Sequence, residues 1–153
     1  MRLGFTGTQE GMQPQQQEAV EQWLCSFRPG TITEFHHGDC IGADAQCHQS
    51  ILFFHPTCRT VCHPPENDSK RAFTDNDDTR EPGPYLERNQ AVVDAVDVLL
   101  AAPKEQTGDV LRSGTWATIR RARKRGIPIV IVRPDGTYEV ESPTALLEQR
   151  REP

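Results

Sequence analysis

The sequence predicts a doubly wound α/β fold, a mainly parallel sheet of about five strands flanked by helices. Three observations carry that expectation. Short apolar runs alternate with helical patterns along the chain. Two of the runs, Val98–Ala102 and residues 127–132, contain no polar residue, as in strands covered by helices on both faces of a parallel sheet. Glycine-bearing turns follow the strands or open the helices, where such sheets place their ligands.

Residues 3–6 form the first run, stopped by Gly7-Thr8, with Gly11 close behind. A helix starts near Pro14, since proline suits a first helical turn. Ala19, Val20, Trp23, Leu24 and Phe27 then recur at helical spacing until Pro29-Gly30. Residues 31–37 are β-prone and lead into Gly38-Asp39-Cys40-Ile41-Gly42-Ala43-Asp44. Ala45, His48, Ile51 and Leu52 mark a second helix, closed around His55-Pro56. Residues 59–63 are a third strand, ended by Pro64-Pro65.

Residues 64–84 break the alternation. They are polar, carry Asp75, Asp77 and Asp78, and have no usable periodicity. Loops longer than roughly 12–15 residues in compact domains are usually functional or disordered. The segment is read as a long surface loop, either a lid over a ligand or a mobile stretch without a role.

Tyr85 opens a helix to about residue 95, with Leu86, Val92, Val93 and Val96 as its apolar face. Val98–Ala102 is the next strand, ended by Pro103. Ser113-Gly114-Thr115 opens a helix that reaches Arg125 and stops at Gly126. Residues 127–132 are the second fully apolar strand. Pro134-Asp135-Gly136-Thr137 is a turn, 138–140 a small edge strand, and 143–150 a terminal helix.

The chain has 153 residues, which fits one domain over 1–153. Its formal charge of −5 excludes a uniformly basic polyanion binder. Hydrophobic residues are 35% of the chain. No stretch approaches the roughly 18–20 apolar residues of a membrane span, and residues 1–8 lack a signal-peptide core. Five cysteines cannot all pair internally, so reduced thiols in a cytoplasmic protein are expected.

Three turns are candidates for a ligand edge: Gly7-Thr8 with Gly11, Gly38-Asp39 with Gly42-Ala43-Asp44, and Ser113-Gly114-Thr115. Glycine lets a backbone approach a phosphate closely, and helix N-terminal amides with a Ser or Thr hydroxyl complete an anion cradle. Neither a Gly-x-Gly-x-x-Gly fingerprint nor a P-loop occurs, which speaks against those two modes of nucleotide binding. Asp39 and Asp44 suit helix capping or ribose hydrogen bonding. Arg88 with Asn89 suits a phosphate, which guanidinium grips in a bidentate fork. No metal is expected: the groups His55, Cys58, Cys62, His63 and Cys40, Cys47, His48 lack structural-zinc spacing. No cofactor is assigned.

The anchors Gly4-Phe5-Thr6-Gly7-Thr8, His37-Gly38-Asp39-Cys40-Ile41-Gly42-Ala43-Asp44, Glu87-Arg88-Asn89 and Ser113-Gly114-Thr115 resemble those of the SLOG superfamily. That superfamily groups Rossmann-like LOG phosphoribohydrolases, DprA-type proteins and YpsA/YspA-like proteins. The chain looks most like the YspA-like branch. The resemblance implies a Rossmann-like fold, a nucleotide-like ligand and a homo-oligomer. LOG enzymes cleave the N-glycosidic bond of nucleoside monophosphates, with a Gly-Thr-x-x-Glu stretch and an upstream arginine. Here Arg88 matches the arginine and Gly114-Thr115 the Gly-Thr, while the glutamate position falls on Thr118. An oxocarbenium-like transition state needs a nearby carboxylate, which threonine does not supply.

The expected function is therefore the binding or sensing of a nucleotide or nucleotide-derived small molecule. Its contacts would come from Gly7, Thr8, Gly38, Asp39, Gly42, Asp44, Arg88, Asn89, Ser113, Gly114 and Thr115. The alternative is an N-glycoside hydrolase in which Arg88 works with a relocated carboxylate, Glu87 or Asp44, with Asp39 and Glu10 as further carboxylates near the turns. A weaker alternative is nucleic-acid binding through Arg120, Arg121, Arg123, Lys124 and Arg125, charges that also complement a helix C-terminus.

Overall fold

Apolar alternation on the two central strands builds the core. In the computed structural model, which describes residues 1–141, Val98, Leu100 and Ala102 of one strand enter one cluster while Leu99 and Ala101 enter another. Val130 and Val132 join the first cluster, and Ile129 and Ile131 the second. Successive side chains of a strand point to opposite faces, so a strand apolar at every position needs cover on both sides.

That cover comes from four helices. Helices α1 (Pro14–Cys25) and α2 (Ala43–Phe54) pack on one face, where Val20, Trp23, Leu24, Phe27 and Ile51 meet Leu3, Phe5 and Phe35 of the sheet. Helices α3 (Tyr85–Ala95) and α4 (Gly114–Arg125) pack on the other, through Val93, Trp116, Ile119 and Ala122. Each fully buried Leu or Ile contributes about 1.5–3 kcal/mol. A chain of modest apolar content therefore reaches a dry core by concentrating it here.

The strands are β1 (Arg2–Gly7), β2 (Glu34–His37), β3 (Arg59–Cys62), β4 (Asp78–Thr79), β5 (Val98–Ala102), β6 (Ile129–Val132) and β7 (Tyr138–Glu141). They form one sheet in the order β4-β3-β2-β1-β5-β6-β7, parallel except for the β6–β7 pair. This is the expected doubly wound α/β architecture, with seven strands where about five were expected. Beyond the five main strands, the small edge strand expected at 138–140 is present as β7. The unexpected strand is β4, inside the polar segment, where Asp78 and Thr79 pair with Val61 and Cys62. The expected terminal helix at 143–150 lies outside the described residues.

Residues 64–84 are tied down rather than free. Asn67 caps a short turn at Asp68–Lys70, Cys40 bridges Arg71, and Pro65 bridges Gly83. Asp77 Oδ2 accepts from the Thr60 amide at 2.8 Å. Side-chain acceptors thus replace the periodic apolar contacts that the segment lacks.

Four of the five cysteines, Cys40, Cys47, Cys58 and Cys62, are buried, and Cys25 is exposed. Burial raises the thiol pKa of Cys40 to about 11 and of Cys58 to about 12. In the native protein a thiol reagent is expected to modify Cys25 alone. All five should react after unfolding, and rapid modification of a second thiol would contradict this packing. Among the described residues no helix is long and apolar enough to cross a membrane.

Candidate functional site

The strand order reverses between β1 and β5, so the carboxyl ends of these strands diverge and leave a crevice. Gly7 and Thr8 end β1 on one side, and Lys104 and Glu105 follow β5 on the other. The N-terminus of α4, Ser113-Gly114-Thr115, closes the third side of a cavity of about 360 Å³. A further cavity of about 500 Å³ shares Gln9, Tyr85, Arg112 and Gly114 with it and extends toward Asn67 and Lys70. Tyr85 stands where the two meet.

The floor of the crevice is built by side chains from three elements. Ser113 Oγ accepts from the Trp116 amide at 3.3 Å, an N-cap that leaves the first amides of α4 without intrahelical acceptors. A Cβ on Gly114 would run into the hydroxyl and ring of Tyr85, so only glycine allows this approach. Beneath Tyr85 lies a small cavity of about 20 Å³, walled by Gly7, Gly114, Thr115, Thr118, Arg88 and Asn89 among others. Asn89 is 5% exposed and its Nδ2 has no partner; the buried Nε of Arg88 has none either. Buried donors without acceptors are costly, which marks this spot as one where an acceptor belongs.

Arg88 is fixed by its other nitrogens. Nη1 donates to the Gly38 carbonyl at 3.2 Å and Nη2 to Cys40 Sγ at 3.3 Å. Its Cζ lies 4.5 Å from the centre of the Tyr85 ring, a cation–π contact between residues three apart on α3. Arg88 thus joins the second glycine turn to the tyrosine at the crevice.

Asp44, 5% exposed, accepts from the Cys40 amide through Oδ2 at 3.1 Å. Burial raises its pKa to about 6, against the lowering pull of that amide and of Arg88. Asp44 therefore behaves as an internal cap of the turn, one of the two roles expected of it. Asp39 is buried completely, and both of its oxygens are taken by the polar segment: Arg71 Nε donates to Oδ2 at 2.7 Å, and Thr74 N and Oγ1 to Oδ1 at 3.0 and 2.6 Å. Its carboxylate is thus committed to holding the polar segment.

Gly42 also serves the frame. Its φ of +91° belongs to a region open to glycine, and a Cβ there would sit 2.5 Å from the Gln9 carbonyl oxygen. The turn presses against the end of β1, where the Thr8 carbonyl accepts the Ala43 amide at 2.9 Å. Thr8 itself is fixed to β5 by its amide, which donates to the Ala102 carbonyl at 3.0 Å.

The expected site residues thus divide. Gly7, Thr8, Ser113, Gly114 and Thr115 line the crevice, with Arg88 and Asn89 below it. Gly38 also lines the small cavity below, while Asp39, Gly42 and Asp44 form the scaffold behind. Glu87 is exposed and faces a different cavity, across α3. Of the two alternative relocated carboxylates, Glu87 is turned away from the crevice and Asp44 is bonded within the glycine turn, while Thr118 occupies the floor with its hydroxyl donating to the Gly114 carbonyl at 3.0 Å. Tyr85, Lys104 and Arg112 were not singled out from sequence. Tyr85 was findable, because it stands one helical turn before Arg88.

Three of the five basic residues of α4 turn to local partners. Arg120 donates to the Val110 and Leu111 carbonyls, Arg123 pairs with Asp109 and Glu141, and Arg125 with Asp94. No group of three or more His, Cys, Asp or Glu among the described residues is arranged to hold a metal ion.

No family model and no curated protein matches the chain. Among solved structures, it is similar to the molybdenum cofactor binding protein from the phototrophic bacterium Rippkaea orientalis. The match has a TM-score of 0.62 at 19% identity and covers 86% of this chain and 75% of that one. The likeness is one of fold, and it agrees with the Rossmann-like α/β architecture.

Proposed function

We propose that the crevice between β1 and β5 binds a small molecule carrying a phosphate, of the nucleotide-like class, as a binding or sensing module. The phosphate would rest on the first amides of α4 and the Thr115 hydroxyl, where the helix dipole favours an anion. The observation that carries this reading is the pair of orphaned donors, Asn89 Nδ2 and Arg88 Nε, under that helix end. The resemblance to SLOG proteins of the YspA-like branch points the same way. The structural neighbour, named for binding a molybdenum cofactor, agrees with a small-molecule ligand at that coarser level.

Binding is preferred to hydrolysis on the chemistry of the floor, where Thr118 and Asn89 offer no carboxylate. Among the expected carboxylates Glu10 lies at the crevice, exposed and 3.5 Å from Lys104.

The test is calorimetry and thermal melting with inorganic phosphate, nucleoside 5′-monophosphates, ADP-ribose and NAD, with free base assayed in parallel. Saturable stabilisation by a phosphate-bearing compound without base release is expected, weakened about tenfold by Asn89→Ala through loss of a hydrogen bond to a charged acceptor. Base release abolished by Glu10→Gln would replace binding with hydrolysis. No response to any of these compounds would sink both.

A further inference from the structure

The two buried donors without acceptors, Asn89 Nδ2 and Arg88 Nε, are cut off from the crevice they lie under. Neither residue lines the crevice cavity of about 360 Å³. Both line the cavity beneath it, about 20 Å³, which is room for roughly one water and not for a phosphate.

The partition between the two is made by the residues that line both: Gly7, Tyr85, Gly114 and Thr115. Three of them cannot yield. Gly7 pairs with Ala102 in the sheet, and Gly114 and Thr115 form the first turn of α4 behind the Ser113 cap. Tyr85 can. It is the first residue of α3, so no preceding helical turn restricts the rotation of its side chain.

Tyr85 also stands where an anion would stand. A Cβ on Gly114 would run into its hydroxyl and ring, so the phenol covers the start of α4. Its ring lies across the Arg88 guanidinium, with Cζ 4.5 Å from the ring centre. On its outer side Tyr85 borders the cavity of about 500 Å³ that it shares with Pro65, Asn67, Lys70 and Arg112, which leaves the ring space to turn into.

We propose that Tyr85 is the gate of the crevice: its ring turns outward into the neighbouring cavity, joins the crevice to the small cavity beneath, and lets a ligand's phosphate reach Asn89 Nδ2 and Arg88 Nε. The gate rests on the crevice reading above and adds the residue that controls entry. Without a ligand, opening loses the cation–π contact and puts no acceptor in its place, so the closed form is the resting one. A phosphate replaces the ring face with charge-assisted hydrogen bonds, which are the stronger interaction. Because the anion fits only the open form, it shifts the population toward it, and the closed fraction weakens the apparent affinity.

The chain has two tyrosines, so ring-labelled protein gives NMR signals that separate Tyr85 from Tyr138. A contact between the Tyr85 ring and Gly114 is expected in the phosphate-free protein. Inorganic phosphate should abolish it over the same concentrations at which it moves the Asn89 side-chain amide signals. Tyr85→Ala should bind inorganic phosphate about threefold tighter, the factor that one cation–π contact supplies. Tyr85→Phe keeps the ring over Arg88 and should stay near the parent value, whereas a purely structural tyrosine would weaken binding when cut to alanine. A Tyr85–Gly114 contact that persists at saturating phosphate, or a Tyr85→Ala affinity no higher than the parent's, would overturn the gate and leave the crevice reading standing. Asn89 signals unmoved by phosphate in both the parent and Tyr85→Ala would remove the crevice reading and the gate with it.

Discussion

Asp39→Ala is expected to cost about 3 kcal/mol of stability and to release residues 66–83 to proteolysis. Asp39 is fully buried, yet it accepts from Arg71 and from both the amide and hydroxyl of Thr74. Removing it leaves those donors unsatisfied, and removing one partner of a buried ion pair typically costs about 3–5 kcal/mol. Arg71 is partly exposed, which places the estimate at the lower end. Asp39→Asn should cost less, because an amide oxygen can still serve Thr74 and asparagine tolerates the backbone φ of +54° found here. Burial alone would raise the Asp39 pKa, but the bonds from Thr74 and Arg71 outweigh it and hold the carboxyl below its ordinary range. The stability it supplies is therefore present above the unfolded carboxyl pKa, about 3.9, and disappears as pH falls through the lower folded value. Denaturant titrations should show the wild-type advantage over Asp39→Ala shrinking only below about pH 4. A full advantage persisting at pH 2, or an Ala variant as stable as the parent at pH 7, would contradict this role.

The same residue shows why part of the site was legible in the sequence and part was not. Regular strands and helices announce themselves because burial imposes a period, and Val98–Ala102 or the stripe of α1 could be read without coordinates. The crevice was legible too, since strand-end glycines and the Ser113 cap have local causes. What Asp39 does depends on Arg71 and Thr74, more than thirty residues away, and no local pattern encodes that pairing. The polar segment was invisible as structure for that reason: its order comes from side-chain acceptors such as Asp39 and Asp77. Of the two carboxylates expected near Arg88, Asp44 stays within reach of its charge while helix geometry turns Glu87 away. Glu87 and Arg88 are adjacent in sequence, and neighbours on a helix point about 100° apart. Arg88 therefore turns inward to Gly38 while Glu87 faces outward into the other cavity.

Gly114→Ala is expected to remove phosphate-type binding while sparing the fold, and the effect should be at least about thirtyfold in affinity. A methyl at this position meets the Tyr85 hydroxyl and ring, the far end of a side chain that is 40% exposed and free to turn outward. The fold should accept that movement. Alanine also gains up to about 1 kcal/mol over glycine in a helix, offsetting the lost cation–π contact with Arg88. Binding has no such escape, because the methyl holds the anion away from the amides at the start of α4 and from Asn89 below them. Hydrogen bonds to a charged acceptor contribute about 1.5–3 kcal/mol each, so losing the closest one or two gives the stated factor. Tyr85→Ala separates the two causes. It removes the phenol without crowding Gly114, so inorganic phosphate should bind at least as well as in the parent chain. A ligand with an aromatic ring should bind more weakly, having lost the ring that joins the two cavities. Calorimetry with inorganic phosphate and with the tightest aromatic ligand of the panel reads both arms. Unchanged phosphate affinity in Gly114→Ala would remove the α4 terminus from the site. Phosphate binding lost in Tyr85→Ala would make the phenol itself the anion's partner, with its hydroxyl as the donor.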